Sequence, residues 1–485
     1  MSTEFLSNTS FSPFPQRGGV LCCVRLAHKN FSQRIQNGLR RLLWALWILV
    51  QYAYIWGTYS VASSDCWVVH DFAFDFVRNS NVFLWYTEYF SMYSNNILLG
   101  FISIVIQKLI PVFSIEDVWL ITSFIAALLA DVAIYWTLRL VVYNLGEEYY
   151  GIAFLASCLL IGLSEEASIL YSDILSLWTI PFAGFHICKS LKETDQRRKY
   201  LDYLYSGWAL GFGGAIKPQI LIFLIAGAIV AIVRVGIQKK TFDAWKPFLL
   251  GILVCVVTCT CLANAGKQWF CDSVISRSEE NPQQYFEDTE FPLLHWMNMG
   301  LNEQSLGGYS LDDVEATKAI AGKEHKSAVL KESIRDRLAN FGLFGYLKFV
   351  NKKVVFALQN GTFSEGVTWK GACINNEEIA KKIQNVFLST SKNWKYSIAI
   401  LIQVTYLGCL WCSSANAIFS LIKKENDIVQ IAQITLLGDV IFLAMFERNM
   451  RYFFSVLPLL IFLAINGIDQ FTKLKRSYVK DESFR

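Results

Sequence analysis

Four acidic residues stand close together in an aromatic-rich stretch, residues 63–97. They are Asp65, Asp71, Asp75 and Glu88. A carboxylate among apolar side chains can take a proton from a hydroxyl group or bind a hard cation. Asp65 follows directly on residues 42–64, an uncharged stretch long enough to cross a membrane. We therefore expect Asp65 to face an intramembrane cavity, and the aromatic surroundings favour a functional role for Glu88 as well.

The same stretch lacks the continuous apolar run of a membrane span, so it predicts short helices lying at the outer membrane surface. Asp71 and Asp75 are four residues apart and share one helical face. Two interpretations of this pair stay open at this point. The two carboxylates either take part in the site or solvate a surface loop.

A second set of ionisable residues lies in or beside apolar stretches, where charges are costly in lipid. The set is Asp131, Asp173, Lys217, Asp439, Glu447, Arg448 and Arg451. Such residues either serve a function or pair inside a helix bundle. Arg offers two parallel hydrogen bonds to phosphate oxygens, and Lys offers a point charge. A carboxylate opposite these cations suits the removal of a group from an anionic lipid, because the acid activates a nucleophile while the cations hold the leaving phosphate.

The composition of the 485-residue chain indicates which elements must hold these groups. Hydrophobic residues make up 54% and charged residues 17% of the chain, whereas soluble proteins have ~25% charged residues. Uncharged apolar stretches of about 20 residues recur, which is typical of a polytopic membrane protein. A disordered chain, a fibrous chain and an ordinary cytosolic enzyme are excluded. The net charge of +4 is too small to indicate nucleic acid as a partner.

The apolar segments predict an all-α polytopic membrane protein with a bundle of about 10–12 transmembrane helices. The segments begin near Leu42, Asn95, Val118, Tyr149, Tyr171, Tyr203, Pro218, Pro247, Tyr396, Ile428 and Tyr452. One of the segments 95–112, 118–143 and 149–166 must be re-entrant or miscounted. Four spans between Asp65 and Lys189 would otherwise place Lys189 outside, against the positive-inside rule.

The same rule divides the chain into regions on the two sides of the membrane. These regions are a cytoplasmic tail 1–41, a bundle 42–266 that includes an acidic outer loop 64–94, an outer region 267–394, C-terminal helices 395–470 and a cytoplasmic tail 471–485. The basic residues that mark the inner side of the middle and last spans are Lys189, Lys192, Arg197, Arg198, Lys199, Lys239, Lys240, Lys246, Lys423, Lys424, Lys473, Lys475 and Arg476. A helical hairpin, broken at Gly213-Gly214 and at Pro218, then places Lys217 at its outer tip.

The outer region 267–394 is predicted to be mainly helical, because it has no alternation long enough to indicate a sheet. Residues 340–358 carry apolar side chains at helical spacing with lysines among them. This pattern predicts an amphipathic helix on the outer membrane surface. Cys271 and Cys373 both lie in this region, and a disulfide between them stays open because spacing alone does not establish it.

Short motifs occur in order from about residue 64 to about residue 460. They are Ser64-Asp65, Tyr89-Phe90, Tyr93-Ser94-Asn95-Asn96, Tyr171-Ser172-Asp173, Ile216-Lys217-Pro218, Phe291-Pro292 with His295, Met299-Gly300-Leu301-Asn302, Gly307-Gly308-Tyr309, Asp312-Asp313-Val314, and Glu447 with Arg451-Tyr452. In this set the chain resembles the GT-C membrane glycosyltransferases, such as the protein O-mannosyltransferases and the aminoarabinose transferases of lipid A. It is similar, more narrowly, to multi-spanning sugar transferases of Gram-positive bacteria, where Ser94 would be proline and Ile174 threonine.

The resemblance implies a GT-C-like bundle and an inverting hexosyltransferase that uses a polyprenyl-phosphate-linked sugar. Asp65 would be the catalytic base and Glu88 a second acidic residue of the site. The residues implied to bind substrate are Lys217, Arg448, Arg451, Asp173, His295, Tyr93, Asn95 and Asn96. Among them, Lys217, Arg451 and Arg448 would neutralise the departing phosphate. His295 would contact the acceptor or the donor phosphate, or it is a packed core histidine.

The partners implied by the resemblance are the lipid-linked donor, membrane lipid, and a glycan, lipid or protein acceptor at the outer face of a bacterial plasma membrane. A divalent cation such as Mg²⁺ or Mn²⁺ stays open, since carboxylates are suitable ligands, and no cofactor is assigned. The rival functions are a lipid-linked-sugar flippase, a polysaccharide polymerase and a secondary transporter, although transporters usually show inverted repeats and the sequence has none. A site that joins Asp65, Lys217 and Arg451 at one face would favour the transferase.

Overall fold

The computed structural model describes residues 33–78, 84–110, 114–238, 246–363, 370–387, 395–422 and 426–482. The predictions for the first 32 residues, and for Lys239, Lys240, Lys423 and Lys424, lie outside these ranges. A boundary between two compact units falls between Leu49 and Val50. Every residue of the site described below belongs to the second unit.

Helices make up nearly all of the first half of the described chain. They are α1 (Gln33–Thr58), α2 (Ser64–Val77), α3 (Leu84–Met92), α4 (Ile97–Leu109), α5 (Ile115–Leu145), α6 (Tyr150–Ser157), α7 (Ser172–Leu177), α8 (Thr179–Lys192), α9 (Gln196–Ile216) and α10 (Leu221–Gln238), with strand β1 (Ser60–Ala62) before α2. Short 3-10 helices connect several of them at Ser94–Asn96, Glu147–Tyr149, Glu165–Ser168 and Pro218–Ile220. A π-helical turn, Cys158–Gly162, continues α6.

The second half is also helical and contains one strand, β2, which pairs with β1 of the first half. Its elements are α11 (Lys246–Ser273), α12 (Pro282–Thr289), α13 (Leu294–Gly300), α14 (Leu311–Lys318), α15 (Lys323–Leu358), β2 (Lys370–Cys373), α16 (Glu378–Phe387), α17 (Lys395–Ile422), α18 (Asp427–Met445) and α19 (Leu457–Glu482). The 3-10 helices Ile275–Arg277 and Met450–Val456 lie between them. The predicted all-α membrane bundle with a mainly helical outer region is confirmed, apart from the short β1–β2 pair.

Six helical segments of the described chain are long and apolar enough to cross a membrane. They are Ile115–Leu145, Ser172–Lys192, Lys246–Arg277, Ile398–Ser420, Asp427–Met445 and Met450–Leu474. A seventh is added if the pair Trp85–Met92 and Ser94–Leu109, bent by 103°, counts as one span. The predicted number was higher because it included three further helices. The uncharged part of α1 begins at Leu42 and the helix already ends at Thr58, α9 carries several basic residues, and the apolar helix Pro218–Arg234 is short.

Two predicted features of the first half differ from the structure. The glycines Gly213 and Gly214 do not break the hairpin, since α9 continues to Ile216 and the chain breaks only at Lys217 and Pro218. A side-chain carbon at Gly213 would come within 2.6 Å of Thr179 Oγ1, so this glycine allows close packing rather than a turn. The segments 95–112 and 149–166 are not straight spans, because the first joins the bent pair and the second forms only α6 and its π-helical turn.

The outer region contains the helix predicted over residues 340–358 as the second half of α15, after a break at Gly342 with φ 59°. Leu343, Phe344 and Leu347 are 70%, 85% and 55% exposed, as expected for a face that contacts lipid. No disulfide joins Cys271 to Cys373 in the described chain: the Cys271 sulfur lies 4.0 Å from the carbonyl of Pro282, and the Cys373 sulfur lies 3.6 Å from that of Thr58.

The sidedness of the bundle can be tested by thiol labelling. A cysteine at Asn302 should react with an impermeant reagent in intact cells, because residues 267–394 are predicted outside. A cysteine at Thr194 should react only after permeabilisation, because Lys189 and Lys192 in the last turn of α8 mark the inner side. Both are made in a background without reactive outer cysteines. The opposite labelling pattern would contradict this topology and move the site to the cytoplasmic face.

Candidate active site

Asp65 lies in the first turn of α2, where the partial positive charge of the helix N-terminus favours a carboxylate. The chain enters this helix from β1, which pairs antiparallel with β2 in the register Ser60 to Cys373 and Ala62 to Lys370. Ser64 then adopts a left-handed conformation with φ 54°. Such a conformation is costly for a residue other than glycine and persists where the surrounding structure enforces it. The strand pair and the turn therefore set the direction of the Asp65 side chain.

Two tyrosine hydroxyls hold the Asp65 carboxylate. Tyr89 donates to Oδ1 at 2.8 Å, and Tyr171 lies 3.4 Å from Oδ2. The side-chain amide of Asn96, which is 1% exposed, donates to the Tyr89 oxygen at 2.8 Å, and its own oxygen lies 3.0 Å from the Tyr171 hydroxyl. Asn95 is exposed and donates to Asn96 at 3.1 Å. Three of the sequence motifs, those that contain Tyr89, Asn96 and Tyr171, thus meet at Asp65.

A buried polar network fastens α2 to the segment that carries Tyr171. His70 Nε2 donates to the carbonyl of Leu170 at 2.9 Å, because a carbonyl can only accept. In a neutral ring the other nitrogen must then accept, and it lies 2.8 Å from the Ser103 hydroxyl of α4. Gln107 donates to the carbonyl of His70 and to Ser103, both at 3.2 Å. The network satisfies the donors it buries, which fixes Asp65 relative to Tyr171.

Three ionisable side chains from separate segments form a buried ion cluster, Asp173, Lys217 and Arg451. The Asp173 carboxylate is paired with the Lys217 ammonium through Oδ1, and Arg451 Nη1 lies 3.4 Å from Oδ2. The three residues are 1%, 7% and 6% exposed. Burying charges is costly unless they are paired, so each cation offsets part of the cost of the acid. The cluster as a whole carries one net positive charge.

Local backbone features explain how each member of the ion cluster is placed. Asp173 lies in the first turn of α7. Lys217 precedes Pro218, and a residue before proline is disfavoured in the helical region, so Lys217 is extended and interrupts the hairpin. Arg451 lies at the start of the 3-10 helix Met450–Val456, and the Asn449 side chain caps this helix by accepting from the Arg451 amide at 3.2 Å.

Tyr171 joins the ion cluster to Asp65. The Arg451 guanidinium lies over the Tyr171 ring at 4.9 Å from its centroid, while the hydroxyl of the same ring faces Asp65. Tyr452 lies against the other side, with its centroid 5.2 Å from Lys217 Nζ and its hydroxyl 3.3 Å from Glu447 Oε2. The structure therefore brings Asp65, Asp173, Lys217, Arg451 and Asn96 into one continuous site.

Glu166 is a buried carboxyl that interacts electrostatically with the ion cluster and that the sequence interpretation missed. It is 4% exposed and lies in the 3-10 helix between the spans Ile115–Leu145 and Ser172–Lys192. Burial raises the pKa of its carboxyl to about 8, and Asp173 adds to the rise, while Arg451 and Lys217 oppose it. Glu166 is thus mostly neutral at pH 7. Its signal in the sequence was the pair Glu165-Glu166 inside an otherwise apolar stretch.

Glu88 is not brought into the contacts around Asp65. Its carboxylate pairs with Lys318 of α14 at 2.8 Å, and both side chains are more than a third exposed. The hydrogen bond to Glu88 raises the pKa of the Lys318 ammonium. An exposed pair of this kind contributes little to stability. Glu88 thus joins α3 to the outer region, and a catalytic role for it stays a prediction that its position does not support.

His295 is fully buried in α13, away from the ion cluster. Nδ1 lies 2.8 Å from the Thr317 hydroxyl, and the ring packs against Phe291 with centroids 4.4 Å apart. Burial lowers the pKa of the imidazole to about 4. These contacts favour the packed-core interpretation over substrate contact.

Arg448 supports a loop of the outer region. Its Nε donates to the Leu306 carbonyl at 3.2 Å and its backbone amide to the Gly307 carbonyl at 2.6 Å, while the guanidinium covers the Phe356 ring at 4.0 Å. Its direct contact with a phosphate stays a prediction. On these contacts Arg448 is a bracing residue, whereas Lys217 and Arg451 share the acid Asp173.

The remaining acidic and aromatic candidates lie around the edge of the site. Tyr93 packs on Tyr89 with centroids 5.1 Å apart and on Phe291 at 5.6 Å. The Tyr86 hydroxyl lies 2.6 Å from the Asp71 carboxylate and 3.2 Å from that of Asp75, so its one proton goes to Asp71 or is shared between them. The acid pair of α2 is therefore linked to α3 through the Tyr86 hydroxyl, so the two carboxylates do more than solvate a loop.

A divalent cation needs several hard oxygen ligands. In the part of the chain that the structure describes, no group of three or more His, Cys, Asp or Glu side chains is placed to hold a metal ion. The partners of Asp65 are phenol groups rather than further carboxylates. This donor set does not fit a site built from protein ligands alone, and a cation there would need water or substrate oxygens.

The comparisons with known proteins agree with the membrane character of the chain. The model of a family described as "Conserved hypothetical integral membrane protein" matches residues 23–471. The chain belongs to this family. It is an integral membrane protein, as its composition predicts. No curated protein matches it.

Two solved structures are similar to this integral membrane protein at low identity. The oligosaccharyltransferase of Archaeoglobus fulgidus in the apo form is 13% identical with a TM-score of 0.45, and the match covers 90% of this chain and 52% of that one. ArnT of Cupriavidus metallidurans, bound to undecaprenyl phosphate, is 11% identical with a TM-score of 0.33, and the match covers 88% and 78% of the two chains. The chain spans about half the length of the oligosaccharyltransferase. Neither likeness carries an activity over to this chain.

Proposed function

We propose that the chain is an inverting glycosyltransferase that moves a sugar from a polyprenyl-phosphate-linked donor to a hydroxyl of an extracytoplasmic acceptor. One observation carries the proposal. Tyr171 holds its hydroxyl 3.4 Å from the half-buried carboxylate of Asp65 and supports Arg451 of the ion cluster with its ring. The Asp65 carboxylate and the Arg451 guanidinium therefore lie on two parts of the same Tyr171 side chain. A base and a cation this close suit attack on a sugar whose leaving group is a phosphate.

Asp65 is the base of the proposed reaction. Its carboxylate accepts the proton of the acceptor hydroxyl while that oxygen bonds the anomeric carbon of the donor sugar. The bond from the anomeric carbon to the phosphate oxygen breaks, and its electron pair leaves with the polyprenyl phosphate. A single in-line displacement inverts the anomeric configuration. Tyr89 orients the carboxylate by donating a hydrogen bond to it, and the Tyr171 hydroxyl, which also faces Asn96, lies against its other oxygen.

The ion cluster stabilises the leaving group in this proposal. The donor phosphate is a diester with one negative charge, and it gains a second as the bond to the sugar breaks. The cluster carries one net positive charge in a buried setting, where its interaction with the developing charge is stronger than in water. Arg451 and Lys217 thus bind the transition state more tightly than the ground state, which is the condition for catalysis.

Binding of radiolabelled undecaprenyl phosphate to the purified full chain tests this half of the proposal. We expect saturable binding that undecaprenyl-phosphate-linked hexose competes away. When the hexose of that donor carries the radiolabel instead, we expect its transfer to membrane-derived acceptors. Undecaprenol without its phosphate is the control, and it should bind much more weakly. Equal binding of the alcohol and the phosphate would contradict a phosphate site.

We expect the ionisation of Glu166 to make lipid-phosphate affinity depend on pH. Since its pKa is raised to about 8, the carboxyl is neutral near pH 7 and ionises as the pH rises through 8. The added negative charge should weaken undecaprenyl phosphate binding by roughly tenfold between pH 7 and 9.5. Because folding raises this pKa from 4.5 to about 8, the Glu166 contribution to stability is present below pH 4.5 and is lost as the pH rises to about 8, so the melting temperature should fall over that lower range.

Glu166→Gln is the matched control for that pH profile. The variant cannot ionise, so its affinity should stay nearly constant over the same range, and both proteins experience the same ionisation of the lipid phosphate. Identical profiles for the two proteins would show that Glu166 has no influence on the phosphate.

A further inference from the structure

The 301–310 turn, which connects α13 to α14, has no part in the mechanism above. Its backbone is unusual, because Leu306 and Gly307 are both left-handed, with φ of 52° and 72°. A side-chain carbon on Gly307 would come within 2.6 Å of the Gly300 carbonyl and 2.7 Å of Lys353 Cε. The position therefore requires glycine for both conformation and space. Such backbone strain persists only where surrounding contacts determine it.

The turn is braced from within by Asn302. The Asn302 oxygen accepts from the amides of Gln304 and Ser305 at 3.0 and 3.2 Å. Its amide nitrogen donates to Asp313 at 2.8 Å, and Asp313 is in turn paired with Arg337 of α15. These bonds connect the turn to two helices of the outer region.

The turn is also braced from the end of the span α18. Lys353 is fully buried and donates to the carbonyls of Gly300 at 2.7 Å, Phe446 at 2.6 Å and Ala444 at 3.2 Å. Arg448 donates to the carbonyls of Leu306 and Gly307. Two buried cations thus hold the turn against residues 444–448, which lead directly into the segment that carries Arg451. The turn is fixed at the border of the proposed active site.

Tyr309 is the side chain that this rigid turn presents. It is 60% exposed, although a large aromatic ring at the surface leaves much apolar area in water. It follows Gly308, where a side-chain carbon would come within 2.8 Å of the Arg448 guanidinium. Arg448 donates its backbone amide to Gly307 of the turn and follows Glu447, whose carboxylate accepts from Tyr452 of the site. Partial desolvation and the carboxylates of Asp65, Glu447 and Glu315 raise the pKa of the Tyr309 hydroxyl.

A pyranose ring matches this arrangement chemically. It has an apolar face of C–H groups, which packs on an aromatic ring, and an edge of hydroxyls, which donate to carboxylates. An aromatic platform on a braced turn loses little conformational freedom when a ligand binds, so more of the contact energy becomes affinity. Glu447 supplies an acceptor at this border of the site, since its neighbour Arg448 is bonded to Gly307 of the turn. The feature therefore favours a neutral sugar over a second anionic group.

We propose that Tyr309 is the stacking platform of a pyranose-binding subsite formed by the 301–310 turn and Glu447. The inference rests on the proposed function in one respect, because it assigns this subsite to a sugar that takes part in transfer. Arg448 and Lys353 are positioning residues of the subsite. The phosphate-binding cluster is a separate part of the site, so each part can be tested without the other.

Saturation-transfer NMR on the purified full chain tests the subsite. The probes are the methyl pyranosides of glucose, galactose, mannose and N-acetylglucosamine. The wild type and Tyr309→Phe should saturate the ring protons of at least one probe, whereas Tyr309→Leu should reduce that signal at least fivefold. Tyr205→Leu removes a tyrosine that is 48% exposed on α9 and should leave the signal unchanged. Undecaprenyl phosphate affinity should be equal in all four proteins.

The subsite is overturned if the wild type saturates no probe, or if Tyr309→Leu saturates a probe as strongly as the wild type does. A fall in undecaprenyl phosphate affinity in Tyr309→Leu, equal to its loss of sugar signal, would also overturn it, because the residue would then act through the phosphate site or the fold. Failure of the proposed function looks different. In that case undecaprenyl phosphate does not bind, while the Tyr309-dependent sugar signal remains.

Discussion

Asp65→Asn should abolish sugar transfer while leaving the fold and the binding of lipid phosphate largely intact. A positioned general base contributes about 10²- to 10⁴-fold to a rate, so turnover should fall by at least 10²-fold. The substitution keeps the shape of the side chain, and the amide oxygen can still accept from Tyr89 or Tyr171, which now hold the carboxylate. Transfer of radiolabelled hexose from its undecaprenyl phosphate carrier, measured on purified protein, checks this result.

Asp71→Asn is the matched control for the loss of the base. Asp71 lies on the same helix as Asp65, but its carboxylate accepts from Tyr86 instead. The control should keep transfer within a few-fold of the wild type. Wild-type turnover in Asp65→Asn, or an equal loss in both variants, would remove Asp65 from the role of base.

Lys217→Ala and Arg451→Ala should each weaken binding of undecaprenyl phosphate by roughly ten- to a hundredfold. A hydrogen bond to a charged group contributes about 1.5–3 kcal/mol, and each ~1.4 kcal/mol corresponds to a factor of ten. Arg451→Lys should bind more tightly than Arg451→Ala but less tightly than the wild type, since lysine keeps the charge and loses the bidentate hydrogen bonds of the guanidinium. Affinity is measured on folded, purified variants, because removing either cation leaves the buried Asp173 with one partner fewer and lowers stability.

Asp173→Asn separates a phosphate site from a purely structural ion cluster. It removes the negative charge and keeps both cations, so a phosphate-binding cluster should hold the lipid as tightly as before or more tightly. If Lys217 and Arg451 serve only to neutralise Asp173, all three variants will lower the melting temperature and none will change the affinity. That second pattern would contradict the proposed role of the cations.

The gathering of Asp173, Lys217 and Arg451 follows from the sequence by a simple physical rule. Each lies in or beside an apolar stretch, and a charge there is costly unless it is paired inside the bundle. The helices themselves follow from long apolar runs, so the all-α bundle could be predicted as well. The position of Asp65 after the first apolar stretch likewise indicated a functional carboxylate.

Other features of the site depend on contacts that composition does not encode. The bonds from Tyr89 and Tyr171 to Asp65 require the 103° bend between Trp85–Met92 and Ser94–Leu109 and the turn before α7. Glu88 faces Lys318, and Arg448 faces the 301–310 turn, because of how the outer helices dock on the bundle. A pattern of residue types gives no helix rotation, so it could not tell these bracing residues from ligands of the substrate.

The central claim is that Asp65 and the Asp173–Lys217–Arg451 cluster form one site for a lipid-linked sugar. The most direct test is a cryo-electron-microscopy structure of the full chain with undecaprenyl phosphate. We expect the phosphate within hydrogen-bonding distance, ~3 Å, of Lys217 and Arg451. We also expect an open cavity beside Tyr171 that connects the phosphate to the Asp65 carboxylate. A phosphate bound elsewhere in the bundle, or one separated from Asp65 by packed helices, would contradict the claim.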